Sequence, residues 1–308
     1  MGRLHVGPGT ARSRKRLAAV ALVATATLTA AGCAGSSGGG GAGGLSNNGN
    51  TATFAEVAGF TPNFIFPFED PAHFGTWNSQ DFSALMYRPL YWFGDGSSPT
   101  VNPSLSLANQ PTFSSDGKTV TVTLKPYKWS NGETLSSSDV MFWMNMLSVE
   151  KDNWGGYVPS YFPDNLSSWK AISPTQVQFV FKTGYNANWI LYNELSQITP
   201  LPAAWDETGA STPSHCDTTV KDCAAVYNYL IAQNRDLDTY ATSKLWQVVD
   251  GPWRLSAFNS DGALTMVPNK TYSGPIKAKL SAFKEQQFTS DSAEYNVLKA
   301  GTSTVQVG

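Results

Sequence analysis

Charge is scarce in this chain of 308 residues: Asp, Glu, Lys and Arg together make up 14%, well below the usual quarter. Histidine and cysteine occur three times each. No pair of histidines has the spacing of a metal site. There is no Gly-x-Ser-x-Gly nucleophile elbow, no phosphate-binding glycine loop and no internal repeat. Glycoside hydrolysis would need two carboxylates from distant segments. Glu69-Asp70, Asp206-Glu207 and Glu285 offer them, but each reads more simply as solvated surface. The lack of a catalytic constellation favours a binding protein over an enzyme, and neither cofactor nor metal is expected. Aromatics, by contrast, are plentiful, with 10 Trp, 12 Tyr and 16 Phe, and the hydrophobic fraction of 41% is ample for a core. A surface rich in Ser, Thr, Asn and aromatics suits proteins that recognise sugars or peptides.

The N-terminus reads as an address. A basic cluster, Arg12-Ser13-Arg14-Lys15-Arg16, precedes an apolar run from Leu17 to about Ala31, then Gly32 and Cys33. That is the layout of a secretory signal, and a cysteine directly after small residues resembles a bacterial lipobox. Residues 1–32 are therefore expected to be a signal peptide and Cys33 a lipid anchor at the outer face of the cell membrane. The alternative, a buried N-terminal helix, is weaker, and about 15 apolar residues fall short of the ~20 a membrane span needs. Removing the five basic residues of the signal leaves 16 basic against 23 acidic, a net charge of −7. Such a domain is not built to neutralise phosphates, so nucleic acid is not an expected partner.

Residues 33–50 carry the anchor and a glycine-rich tether, whose 17 residues after Cys33 span roughly 20–25 Å as a flexible coil. The folded part is expected over 51–308. Thr51–Val57 reads as a strand. Thr119–Leu124 and Gln176–Phe181 alternate strictly and read as half-buried strands. Trp253–Phe258 and Ala263–Val267 flank Asn259-Ser260-Asp261-Gly262 as a hairpin. Ser136 is placed to cap a helix over Val140–Val149 that is apolar on most sides. This Met-rich helix reads as core packing rather than a ligand groove. Further helices are expected from about Val220 and over Asp291–Lys299, with a last strand at Ser303–Val307. The mixture is α/β or α+β. With Cys33 assigned to lipid, Cys216 and Cys223 are expected to form a disulfide. A Cys/His site with His215 is the alternative, and no second pair lies near it.

Three segments together resemble the extracellular solute-binding proteins of peptide and nickel ABC transporters. The first is Trp129-Ser130-Asn131-Gly132-Glu133-Thr134-Leu135, leading through Ser138-Asp139-Val140 into the apolar helix. The second is Gly251-Pro252-Trp253-Arg254-Leu255, followed by Asn269-Lys270-Thr271-Tyr272-Ser273-Gly274. The third is Leu298-Lys299-Ala300-Gly301, where the family's later Asp is Thr304. Met86–Leu90 with Leu105–Ala108 fits a further early region. The resemblance implies a mixed α/β fold: a periplasmic-binding-protein-like type II lobe with a satellite subdomain at about 86–169, the second lobe being absent. It implies a monomeric receptor that hands a peptide, or an oligosaccharide, to an ABC permease. Ligand contacts implied on this lobe fall at Phe74, Gly75, Thr76, Trp77 and Asn78, and at Trp154 or Tyr157. The competing readings are a secreted hydrolase and a surface lipoprotein without transport.

Overall fold

A computed structural model describes residues 50–94, 97, 99–300 and 305–307; Cys33 and the segment expected to be a signal peptide lie outside them. Two sheets organise these residues. The first has five strands in the order β6-β7-β8-β1-β9: β6 (Trp253–Phe258), β7 (Leu264–Pro268), β8 (Ala282–Gln286), β1 (Thr51–Ala55) and β9 (Val305–Val307). β1 runs parallel to both β8 and β9, while β6, β7 and β8 form an antiparallel meander. The second sheet is antiparallel, in the order β2 (Thr112–Phe113), β3 (Thr119–Thr123), β5 (Gln176–Phe181), β4 (Leu166–Ser173). Val120, Val122, Val177 and Phe179 are fully buried on its inner face, as the alternation predicts.

Single α-turns α1 (Thr76–Asn78) and α2 (Ala84–Met86) flank a π-helical turn, Ser79–Ser83. The longest helix, α3 (Ser137–Glu150), starts in a capping box. Ser136 Oγ accepts from Ser138 N at 3.2 Å, and Ser136 N donates to Asp139 Oδ2 at 2.6 Å. Val140, Phe142, Trp143, Met144, Met146 and Leu147 are all buried, so the helix is core. α4 (Ala187–Asn193), α5 (Cys223–Asn234) and α6 (Asp291–Lys299) complete the set.

The family-like segments prove to be stitches. Asn131-Gly132 turns the chain with Gly132 at φ +95°, and Trp129 N donates to Glu133 O at 2.9 Å. Ser130 N donates to Val249 O, and Ser130 Oγ to Gln247 O. Lys128 N donates to Ser273 Oγ. The first two segments therefore meet in space. Gly251 is required by close approach: an added Cβ would sit 2.5 Å from Leu85 O, where Gly251 N already donates to Met86 O. Asn269 Nδ2 secures the Gly251 carbonyl at 3.0 Å.

The buried segment 63–69 crosses the core without regular structure, so its backbone needs partners. Two asparagines supply them. Asn78 Oδ1 accepts from Asn63 N and Phe64 N, and Asn234 Oδ1 from Ile65 N and Phe66 N.

Cys216 and Cys223 are disulfide-bonded at the entry to α5, with both residues fully buried. The bond closes a short loop, worth roughly 2–3 kcal/mol in the chain-entropy account. Reduction is expected to lower the unfolding free energy by about that amount, read as a lower denaturation midpoint at unchanged slope. A Cys216→Ala/Cys223→Ala variant, insensitive to reductant, should match the reduced wild type; a reduced protein as stable as the oxidised one would refute the estimate.

Candidate functional site

The loop holding Gly75–Asn78 and the loop holding Trp154–Tyr157 come together. An added Cβ on Gly155 would lie 2.7 Å from Phe74 Cβ, and Gly155 N donates to Glu69 O at 2.8 Å. Glu69 also anchors the other loop. Its carboxylate accepts from Ser79 Oγ (2.8 Å) and Ser83 Oγ (3.1 Å), and burial pushes its pKa up to about 7 against the pull of those serines. Glu69 and Glu285 are thus buried, at 4% and 9% exposure, and not solvated surface as their sequence suggests. Asp206 is half-buried and accepts from Cys216 N and Asp217 N, whereas Glu207 is exposed.

The individual residues divide by role. Trp77 is half-buried and packs on Phe60 with ring centroids 4.4 Å apart; its indole also covers Gly75. Thr76 opens the α1 turn. Asn78 is fully buried, and its Nδ2 donates to His73 O and Asn63 Oδ1, so its amide serves the 63–64 backbone. Trp154, one of the contacts implied by the resemblance, is part of the core. It is 6% exposed and meets Phe68, Trp143 and Phe162. Tyr157 is half-buried; its hydroxyl donates to Asp164 Oδ2 at 2.7 Å, and Lys151 sits over its ring. Hydrogen bonds from Lys151 and Tyr157 hold Asp164 down to about 2.

A cavity of about 310 Å³ begins at Gly156 and is walled by Tyr161, Phe162 and Trp189. That is the low end of the range for small-ligand pockets. Tyr161 is 56% exposed, and Trp189 is held at the start of α4 by the Asn186 cap and by stacking on Tyr185 at 4.8 Å. Asn193 and Gln197 add amides, and Glu194 lies beneath at 1% exposure. Glu194 Oε1 accepts from Asn165 Nδ2 at 3.1 Å, while Oε2 has no partner. Burial raises Glu194 to about 7. Flat aromatic faces, rim amides and one buried acid make a surface for gripping planar or apolar groups. Sequence reasoning missed Tyr161, Trp189 and Glu194. The available signal was the density of aromatics over 154–162.

The sequence model of the bacterial extracellular solute-binding proteins, family 5 (middle region), matches residues 102–307. The chain belongs to family 5 of the bacterial extracellular solute-binding proteins. Family 5 proteins are receptors, not enzymes, and act outside the cytoplasm. Among the described residues, no helix is long and apolar enough to cross a membrane. No curated protein sequence matches significantly. Solved structures share the fold. The ABC transporter substrate-binding protein CtaP from Listeria monocytogenes is 20% identical, with a TM-score of 0.55 over 82% of this chain and 43% of its own. OppA from Haemophilus influenzae, in complex with the peptide RPPGFSPFR, is 15% identical, with a TM-score of 0.60 over 83% and 45%. NikA from Brucella suis, in complex with Fe(III)-EDTA, is 17% identical, with a TM-score of 0.57 over 82% and 42%. The family 5 chain thus has the mixed α/β, type II periplasmic-binding-protein-like architecture and spans less than half the length of these structures.

Proposed function

We propose that this chain is the ligand-gripping lobe of an extracellular receptor, anchored by lipid on Cys33, that binds a peptide or similar small oligomer and delivers it to an ABC permease. The observation that carries the ligand class is the aromatic cavity of Tyr161, Phe162 and Trp189, placed beside the two adjoining loops. Its walls suit peptide side chains. A metal chelate, such as the Fe(III)-EDTA in complex with NikA, finds less here. His73 is engaged by Asp70 at 2.8 Å and stacks on Phe64, and His215 is exposed on the disulfide loop.

A thermal-shift screen of the full chain tests the reading. A peptide ligand is expected to raise the melting temperature progressively with its concentration, by mass action worth about 2.7 kcal/mol at a hundred times Kd. Trp189→Ala and Tyr161→Ala, both at accessible positions, should weaken that binding about tenfold, the range for an aromatic anchor. Silence toward peptides with a progressive response to oligosaccharides would transfer the assignment to a sugar receptor.

The anchor has its own test. Cys33→Ser is expected to move the protein from the membrane pellet to the soluble fraction of the producing cells. Unchanged sedimentation would sink the lipid anchor while leaving the receptor reading intact.

A further inference from the structure

Away from the aromatic cavity, three carboxylates converge at the carboxyl end of the parallel strands. Glu56 directly follows β1, Glu285 lies in β8, and Asp81 comes from the Ser79–Ser83 turn. One oxygen from each lies within 4.8 Å of the other two. All three are buried, at 7%, 9% and 5% exposure. The backbone fixes their approach: β1 and β8 are parallel neighbours, and Glu56 N donates to Gln286 O at 3.0 Å.

The side chains are poorly matched to one another. Glu56 Oε1 accepts from the adjacent Val57 N, at 3.1 Å. Asp81 Oδ2 meets no N–H or hydroxyl donor among the described residues and its carboxyl lies against that of Glu56, although Asp81 is 95% buried and faces the same cavity as Glu56 and Glu285. Buried polar atoms in native proteins are almost always partnered, and buried like charges need an opposite charge among them. None of the residues lining this cavity of about 630 Å³ is a lysine, arginine or histidine; Asp291 and Glu294, on the first turn of α6, add two more acids.

We propose that Glu56, Asp81 and Glu285 form a binding site for a hard divalent cation of calcium's kind. An all-oxygen donor set excludes a preference for zinc or copper, which favour nitrogen and sulfur. Calcium takes oxygens at about 2.3–2.6 Å in adaptable geometry, so ligand oxygens up to about 5 Å apart can share one ion. Magnesium asks for a tighter, near-ideal octahedron, which three carboxylates from three separate segments are poorly placed to supply. Asp291 and Glu294 are available to complete the shell, directly or through water. An ion here would tie β1, β8 and the Ser79–Ser83 turn into one unit, independently of the peptide reading.

The test uses the full chain, stripped with chelator and titrated calorimetrically with CaCl2 at constant ionic strength. Single-site binding is expected, with Kd in the range of extracellular calcium modules, about 10⁻⁴–10⁻³ M, together with a melting temperature that rises with calcium concentration. Asp81→Asn and Glu285→Gln, close in shape to the native residues, should keep the wild-type circular dichroism and lose both signals. Absence of saturable heat at about ten times that concentration range would overturn the site and leave the carboxylates sharing protons instead. So would an equal thermal shift in the two variants or with NaCl. Magnesium binding as tightly as calcium would overturn the assignment to calcium's kind.

Discussion

Replacing Trp205 with alanine is expected to remove about 3–5 kcal/mol of stability, the usual range for a buried large aromatic. Trp205 follows Pro200-Leu201-Pro202 on a single 3-10 turn, Ala203–Trp205, and is completely buried. Its ring meets Trp246 at 5.2 Å, Tyr87 at 5.5 Å and Phe66 at 6.0 Å, each edge-on, the arrangement aromatic quadrupoles favour. Its indole N–H donates to Leu245 O at 2.7 Å. Alanine would therefore leave a cavity and remove one of the two hydrogen bonds to the Leu245 carbonyl, which keeps the one from Val248 N at 3.2 Å. Trp205→Phe separates the two: it keeps most of the ring area and loses the hydrogen bond, for an expected cost of about 0.5–1.5 kcal/mol. Domains are held by only about 5–15 kcal/mol in total, so the alanine variant should sit near the edge of folding. Denaturant midpoints at unchanged slope would measure both values. A cost below that of Trp205→Phe would mean that the core closes around the gap.

How far the sequence reveals the fold depends on where the burial comes from. Thr119–Thr123 and Gln176–Phe181 are central strands with one buried face, so their alternation survives in the sequence as period two. The Ser136 cap is local chemistry and is equally legible. β4 was not anticipated, because Leu166 is the only fully buried residue on an edge strand exposed along most of its length. β8 was also missed; its place beside β1 comes from parallel pairing across more than 200 positions. The site follows the same logic. The two loops implied by family resemblance do adjoin, through Phe74 and Gly155. Within one aromatic-rich loop, Trp154 is drawn into the core by Phe68, Trp143 and Phe162, while Tyr161 remains exposed. The buried acids are the least legible. Nothing local distinguishes Glu69 or Glu194 from a surface glutamate; the tertiary structure places them beneath the loops and the cavity.

Those acids set the expected pH response. Burial pushes Glu69, Asp139 and Glu194 up to about 7 and Asp250 to about 8. In the unfolded chain the same groups lose their protons near about 4. Between those values the folded state holds protons that the unfolded state has released, so stability falls as pH rises from about 4 to about 8. Each group contributes at most about 1.4 kcal/mol per pH unit inside its window. Asp164, held down to about 2 by Lys151 and Tyr157, has the opposite sign: its contribution is present above about 4 and is lost only as pH falls toward about 2. The melting temperature, measured in chelator, is therefore expected to be clearly higher at pH 5 than at pH 8. Glu69→Gln retains an acceptor for Ser79 and Ser83 without a titrating proton, and should flatten part of that slope. A profile that is level or rising between pH 5 and 8 would show that these carboxylates are ionised at little cost in the folded state. The functional consequence is local. Glu69 joins the two loops and Glu194 lies under the aromatic cavity, so the strain of ionising them at alkaline pH falls on the surface proposed to hold the ligand.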